Sequence, residues 1–485
     1  MATDDDVDVL VVGAGPCGLV AGITVARYGL DVLVVEQREG ESNLSRALVI
    51  STRGMELLRR FGLEDAVRAG AADVDPTALV TPTLTSGDGM VMPLGYPSDA
   101  EAAAVSPTRP SWTPQSHHEP LLLAHLQASQ TATVWLGAQL IGLDQDEGRV
   151  QATVLERASG EQRRVGAQYA IAADGAHSTT RAQLGIAMEG PDELEVYERV
   201  EFLAALDEAV GDRRHALYVL KHPAVDGAVL ARRGREDRWG LSRERPADAP
   251  GMGELAEPEL VAMIRTATGV TDLDVAIERL SSFAFAAQIA DRYRAGRCFL
   301  IGDAAHRMTP RGGTGMNTGI QDGFDLGWKL AWALRGWAPA ELLDTYEDER
   351  RPIGLHNVGR AASAGGARRT TDEALPWDLD DRLVHCWLDG GGAQRVSTLD
   401  LIGDGLTLFA ATDDPRWADV AGQSGFTAPV EVVAIKRHAA MALDLGPTGA
   451  VLVRPDGHEI ARWSAIDSEP EPGVAWPARG HASRP

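Results

Sequence analysis

Three short glycine-bearing stretches, far apart in a chain of 485 residues, hold residue types that could grip a phosphate-bearing cofactor. The first is Gly13-Ala14-Gly15-Pro16-Cys17-Gly18, set between the apolar run VDVLVV and the helical stretch LVAGITVARYG. Gly13 permits a tight turn, Gly15 lets a pyrophosphate approach the backbone, and Gly18 lets helix and strand pack closely. The helix start adds unpaired N–H groups and a positive dipole end, and Pro16 loses nothing there by lacking its N–H. A second apolar strand, DVLVVE, ends in Glu36, about 20 residues on, placed to accept hydrogen bonds from a ribose diol. Strand, turn, helix, strand and acid together indicate a dinucleotide site. They do not separate NAD from FAD.

The second stretch, GRCFLIGDAAHRMTPRGGTGMNTGIQDGFDLGWKLAWAL, spans residues 296–334. Its apolar start reads as a buried strand with Gly302-Asp303 at the carboxyl end, where ligands bind in open α/β sheets. Asp303 can accept hydrogen bonds from ribityl hydroxyls. Gly312 to Gly315 then lead into a helix whose N-terminus can stabilise negative charge on a reduced flavin. A plain dehydrogenase has no use for this second glycine-rich helix start; a flavin stretched across a sheet does. The third stretch, Ala170 to Ser178, is a strand ending in Asp174-Gly175, with Arg181 beyond. Alone, that pair is a common turn.

Other chemistry finds less support. Arg311, beside the glycine-rich loop, is the one weak catalytic candidate, able to stabilise an anionic flavin or phenolate; the alternative is a surface contact. His306 reads as a histidine hydrogen-bonded in place. His117-His118 are adjacent and point apart on a helix, so no metal site is expected. No GxSxG elbow supports a hydrolase, and the GWxWxIP signature of flavin halogenases is missing, Arg238-Trp239-Gly240 being the nearest context. Cys17, Cys298 and Cys386 form no CxxC pair. A net charge of −24 argues against nucleic acid and anionic membrane as partners. The acidic N-terminal residues do not read as a signal peptide, no apolar run approaches the ~20 residues of a membrane span, and a cytoplasmic location is expected.

The elements that must position these motifs are strand–helix alternations. Residues 76–110 and 188–285 carry no nucleotide motif, and stretches such as ALYVLKH alternate as half-covered strands do. Residues 254–268 read as a helix from Leu255, Leu260 and Ile264. Trp328 and Trp332 fall on an apolar helical stripe and are expected in the core. The charged run Glu347 to Arg351 reads as a solvated helix face, ended or kinked at Pro352. Residues 363–395 look like a linker with some helix.

Together the three motifs resemble the para-hydroxybenzoate hydroxylase family, the class A flavoprotein aromatic monooxygenases. Ser45-Arg46-Ala47 before GMELLRRFGL, Pro114-Gln115 before HHEPLL, and YEDERRP also match over roughly residues 7–360. The loop and helix PRGGTGMNTGIQDGFDLGWKLAWALRGW look closest to the bacterial branch that acts on polyketides. The resemblance implies a Rossmann-like FAD-binding domain of the GR2 type in three parts (1–75, 111–187 and 286–390 with linker helices). A β-sheet substrate domain (76–110 and 188–285) and a thioredoxin-like C-terminal domain (391–485) would complete the chain. The tail from Ser468 departs from the family, without a clear closing helix, and is expected to be mobile. Gly13, Gly15 and Gly18 would hold the pyrophosphate, and Glu36 the adenosine ribose. Arg46 and Gln115 would contact the phosphates and ribityl chain. Gly302 and Asp303 would take the ribityl chain; Asp174 and Gly175 would lie near FAD and the passing nucleotide. Pro310, Gly313, Gly315, Met316 and Asn317 would line the isoalloxazine ring, and Pro16, Cys17, Gln37 and Leu140 complete the implied cofactor set. The implied activity is hydroxylation of an aromatic small molecule with NADPH (or NADH) and O2, through a flavin C4a-hydroperoxide, by a monomer or homodimer. Baeyer–Villiger or oxidative ring-modifying chemistry on the same scaffold, and a non-catalytic flavin-binding partner, remain open alternatives.

Overall fold

A computed structural model describes residues 5–40, 47–231, 237–363, 365–388, 395–422 and 427–472. Five sheets organise them. The largest has a parallel centre in which Asp5–Val12 lies between Val32–Glu36 and Gln162–Ala172, with Ala132–Leu136 and Cys298–Leu300 outside them. Such strands are covered on both faces, which is why Val9, Leu10, Val11 and Val32 to Val35 are all buried.

One face is covered by two helices, Pro16–Arg27 and Gly315–Leu334, which approach unusually closely. Gly319, Gly323 and Gly327 recur every fourth residue and turn one bare stripe toward the first helix. A Cβ at Gly323 would stand 2.5 Å from Cys17 O, and one at Gly327 2.7 Å from Thr24 Cβ. Trp328 and Trp332 are fully buried and meet edge to face, and Trp332 Nε1 donates to Asp404 O at 3.0 Å. They are core residues, as their spacing predicts.

The second sheet runs in the order Ala276–Phe285, Glu195–Leu203, Arg238–Glu244, Val225–Ala231, His215–His222, Asp75–Thr81, Met90–Pro93. Strands from both motif-free segments thus pair in one sheet, Asp75–Thr81 lying parallel to His215–His222. One face packs on the helix Glu257–Thr268 through Leu260 and Ile264. The other carries Met92, Leu217 and Val219 against a cluster of Val49, Leu94 and Tyr96.

The C-terminal residues form a five-stranded sheet in which Leu406–Ala410 lies between Val430–Ala434, parallel to it, and Ala450–Val453, antiparallel to it. Its β-α-β-α-β-β order, followed by the short strand Glu471–Pro472, is thioredoxin-like. The expected mobile tail falls, from residue 473 on, outside the described residues.

Two expectations are corrected. The helix Thr345–Ala362 continues through Pro352 rather than ending there. Its charged run is not a solvated face either. Arg350 is 4% exposed, because helix Gly315–Leu334 presents Asp322 to it, and Glu349 meets Lys329 and Arg454.

Candidate cofactor and substrate site

The three motifs leave the large sheet at one level. Val12, Ala172 and Leu300 are neighbours on a single rung, with Val35 beside Val12. The turns at Gly13, Asp174 and Gly302 therefore emerge together at the carboxyl edge of the strands. Further bonds knit them: Gly13 N–H donates to Val35 O at 2.8 Å, Ile301 N–H to Ala172 O at 3.0 Å, and Arg181 Nη1 to Ala304 O at 3.0 Å.

Gly13 has φ +109°, and a Cβ there would strike the Ala173 carbonyl. A Cβ on Gly18 would strike Gly13 O. Gly15 differs: its backbone is extended, and a Cβ built on it meets nothing within 4 Å. Gly175 opens on empty space in the same way. Open space above Gly15, at a helix N-terminus, is what a pyrophosphate requires.

Glu36 is 7% exposed and accepts from Ala14 N–H at 2.8 Å and from Arg38 N and Nε, both at 2.9 Å. Burial pushes its carboxyl up, but the bonds from Arg38 and Ala14 outweigh this and hold it below the usual range. Arg38 also reaches Glu119 at 3.2 Å, and Gln115 Nε2 donates to Glu119 at 2.7 Å. Glu36 and Gln115 thus meet at one corner through a pair the sequence did not single out. Arg46 lies outside the described residues. Gln37 is exposed, and the Leu140 side chain is buried in the apolar cluster of Val12, Leu33 and Val35.

Several predicted contacts have partners inside the protein. Asp174 accepts from Ser178 Oγ, from Thr180 N–H at 3.0 Å and from Thr180 Oγ1 at 2.8 Å, capping the short helix Thr179–Gln183. Asn317 accepts from Ser51 N–H at 2.8 Å and donates to Gly313 O at 2.9 Å, pinning the loop to the chain at Val49–Ser51. Arg311 pairs with Glu195 at 2.6 Å and lies over the Phe285 ring, clipping the loop to the second sheet. Pro310 and Asp303 are exposed, and Cys17 Sγ would lie 3.0 Å from a Cβ on Gly302. Gly315, Met316 and Asn317 open their helix, where the first N–H groups have no intrahelical acceptor. Tyr96 Oη donates to the carbonyls of Gly312 and Gly313.

Behind Gly302 stands a residue that sequence reasoning missed. Asp322, fully buried, accepts from Gly302 N–H at 3.1 Å and from Arg350 Nε at 2.9 Å, and meets His306 Nε2 at 2.6 Å. Burial opposes its charge, yet His306 and Arg350 hold its carboxyl below the usual range. Its signal in the sequence was a pair of aspartates, Asp322 and Asp325, inside a helix with a long apolar stripe.

The geometry defines a dinucleotide-binding fold with a second sheet facing the glycine-rich loop. Comparison with known proteins agrees. Residues 6–361 match the family model described as FAD binding domain, and residues 380–476 match aromatic-ring hydroxylase, C-terminal. The chain belongs to this family, the class A FAD-dependent aromatic monooxygenases. It is 32% identical to tetracenomycin B2 monooxygenase-dioxygenase of Streptomyces olivaceus, covering 96% of this chain and 97% of that one. It is 33% identical to aklavinone 12-hydroxylase RdmE of Streptomyces purpurascens, covering 95% of each. Among solved structures, the flavin-dependent monooxygenase PieE with FAD and substrate superposes with a TM-score of 0.86, at 27% identity over 96% of this chain and 97% of that one. The complex of aklavinone-11 hydroxylase with FAD and aklavinone gives 0.84, at 30% identity over 96% of each. Among the described residues no helix is long and apolar enough to cross a membrane.

Proposed function

We propose that this enzyme hydroxylates a fused-ring aromatic of the polyketide kind, using NADPH or NADH and O2. The chemistry that bound FAD supplies is two-electron reduction by the nicotinamide nucleotide, then transfer of one oxygen atom of O2 to an aromatic carbon, the other leaving as water. The protein's part is binding, orientation and exclusion of water. The Gly13–Gly18 turn and its helix N-terminus hold the pyrophosphate over the open space at Gly15. Glu36 shares the ribose with Arg38, and Gln115 stands beside Glu119. The Gly302-Asp303 turn takes the ribityl chain. N–H groups of Gly315, Met316 and Asn317 face negative charge on the reduced ring, and Pro310 and Gly313 line its edge.

Reductant docking is supported by two arginines at the Asp174 turn. Burial lowers Arg181, the Asp174 carboxylate raises it, and Arg307 beside it lowers it again. Two such guanidiniums suit a nucleotide phosphate. The substrate reading is supported by the sheet that faces the loop. Met92, Leu217, Val219 and Trp112 form one apolar wall, and Tyr197, Phe283 and Phe285 stack beside Arg311, Tyr197 lying 4.2 Å from Phe285 at 7°. Flat aromatic walls favour a flat aromatic guest and keep water out.

The observation that carries this reading is the shared rung Val12–Ala172–Leu300, which delivers three motifs to one edge. The test is product mass after turnover with NADPH, O2 and a panel of phenols and fused-ring aromatics. A gain of one oxygen atom on an intact ring supports hydroxylation. Ring insertion or cleavage points to Baeyer–Villiger chemistry, and reductant consumption that no aromatic accelerates contradicts the reading.

A further inference from the structure

We propose that the C-terminal domain holds the Gly302-Asp303 turn in place through a chain of largely buried charges, with Asp322 as the positioning residue. The inference rests on the reading that this turn contacts FAD.

The chain can be followed atom by atom. Asp322 holds Gly302 N–H and Arg350 Nε. Arg350 Nη1 lies 3.7 Å from Asp380, the left-handed residue that ends the helix Thr371–Leu379. His458 Nε2 lies 3.7 Å from the same carboxylate, and its Nδ1 is 3.2 Å from Asp456. Arg454 pairs with Asp456 at 2.7 Å and with Glu349 at 2.8 Å. Lys329 joins Glu349 at 2.9 Å to Asp325 at 2.8 Å. The path thus begins and ends on helix Gly315–Leu334, at Asp322 and Asp325, and its far end is the turn between strands Ala450–Val453 and Glu459–Trp463. A second tie runs from that turn to the loop's other support. Arg53 Nη2 donates to Asp456 O at 2.6 Å, and Arg53 belongs to the helix Thr52–Arg60, whose cap Ser51 meets Asn317.

Asp325, Glu349 and Asp456 converge as metal ligands do, but Lys329 and Arg454 supply the positive charge among them. The cluster is an internal salt network. Charge is a poor choice for stability alone, because well-packed apolar groups of the same volume usually serve as well or better. What fixed ion pairs add is geometry. The geometry at stake is that of Gly302, whose φ of +59° is set one residue before the predicted ribityl ligand.

The experiment uses the full-length holoenzyme and follows FAD release by the rise in flavin fluorescence, well below the melting temperature of each apo-protein. Asp322→Asn and Arg454→Met break the chain beside Gly302 and at the C-terminal turn, and Asp380→Asn, at a partly exposed position, is the milder variant that keeps the test open should those misfold. Val451→Ala, in the apolar core on the far side of the C-terminal sheet, is the control for destabilisation alone. The inference expects about tenfold weaker FAD binding in the charge variants and little change in Val451→Ala at comparable loss of melting temperature. It is overturned if Val451→Ala loosens FAD as much, or if Asp322→Asn and Asp380→Asn both bind FAD like the wild type. Asp303→Ala tests the underlying site separately. If it alone loosens FAD, the charge chain is wrong and the site stands. If nothing loosens FAD, both fall. If only the charge variants do, the chain stands and the turn acts through its backbone.

Discussion

Replacing Gly319 by alanine places one methyl group where the flavin site's elements meet. That Cβ would stand 2.8 Å from Gly302 Cα, with Cys17 Sγ closer still. Carbon atoms not bonded to each other settle near 3.5–4.0 Å, so the helix must retreat by roughly 1 Å from both the first helix and the Gly302 turn. Overpacking of this size costs about 1–3 kcal/mol, while alanine in a helix interior returns about 1 kcal/mol over glycine. Net stability therefore falls by no more than about 2 kcal/mol, yet the whole displacement lands on the turn proposed to meet FAD. The expected result is a modest drop in urea midpoint with at least tenfold weaker FAD binding, read by fluorescence titration. Cys17→Ala removes the nearer obstruction, so the double variant should recover part of the loss, with a coupling of about 1 kcal/mol. Wild-type FAD affinity in Gly319→Ala, or strict additivity with Cys17→Ala, refutes the reasoning.

Other consequences follow from individual groups. Glu36→Gln removes the nearer of Arg38's two carboxylate partners, leaving Glu119, and FAD affinity should fall about tenfold in a titration near pH 7. Arg311→Ala unclips the loop from Glu195 and Phe285; the expected sign is more hydrogen peroxide released per reductant consumed, with Arg311→Lys intermediate. His118, fully buried, is pushed down by that burial from 6.5 to about 4. Between these values the unfolded chain takes up a proton that the fold refuses, so its contribution is complete above pH 6.5 and is lost as pH falls toward 4. The loss amounts to about 3 kcal/mol. His118→Leu should flatten the melting-temperature profile across that window. Asp174→Ala removes the acceptor of Thr180 N–H and Oγ1 at the start of the helix Thr179–Gln183 and should cost about 1 kcal/mol in a denaturant titration.

The backbone of the site was legible in the sequence because it is written in local spacing. Strand runs of valine, the glycine turn and the terminal Glu36 lie within 30 residues of one another, and periodicity alone sets them on neighbouring strands. The partners of Asp174, Asn317 and Arg311 were not legible in this way. Each carries a group that could face a cofactor, and each finds an internal partner, which for Asn317 and Arg311 lies more than 100 residues away in the chain. The run Glu347 to Arg351 was misread for a similar reason. Charges on a helix look solvated until a neighbouring helix supplies complementary ones, and Asp322 and Lys329 do so from positions that look like irregularities in an apolar stripe. The stripe Gly319, Gly323, Gly327 was open to view at a spacing of four, but its meaning depends on the helix it faces.

The most direct trial of the central claim, that three turns close on one FAD, is the substitution Gly15→Val. The backbone there is extended and a Cβ meets no protein atom within 4 Å, so valine costs the apo fold little beyond a poorer helix N-cap. The account predicts an apo-protein that melts like the wild type, and a purified protein without the visible flavin spectrum that also fails to take up added FAD. A yellow Gly15→Val protein carrying one FAD per chain would contradict it.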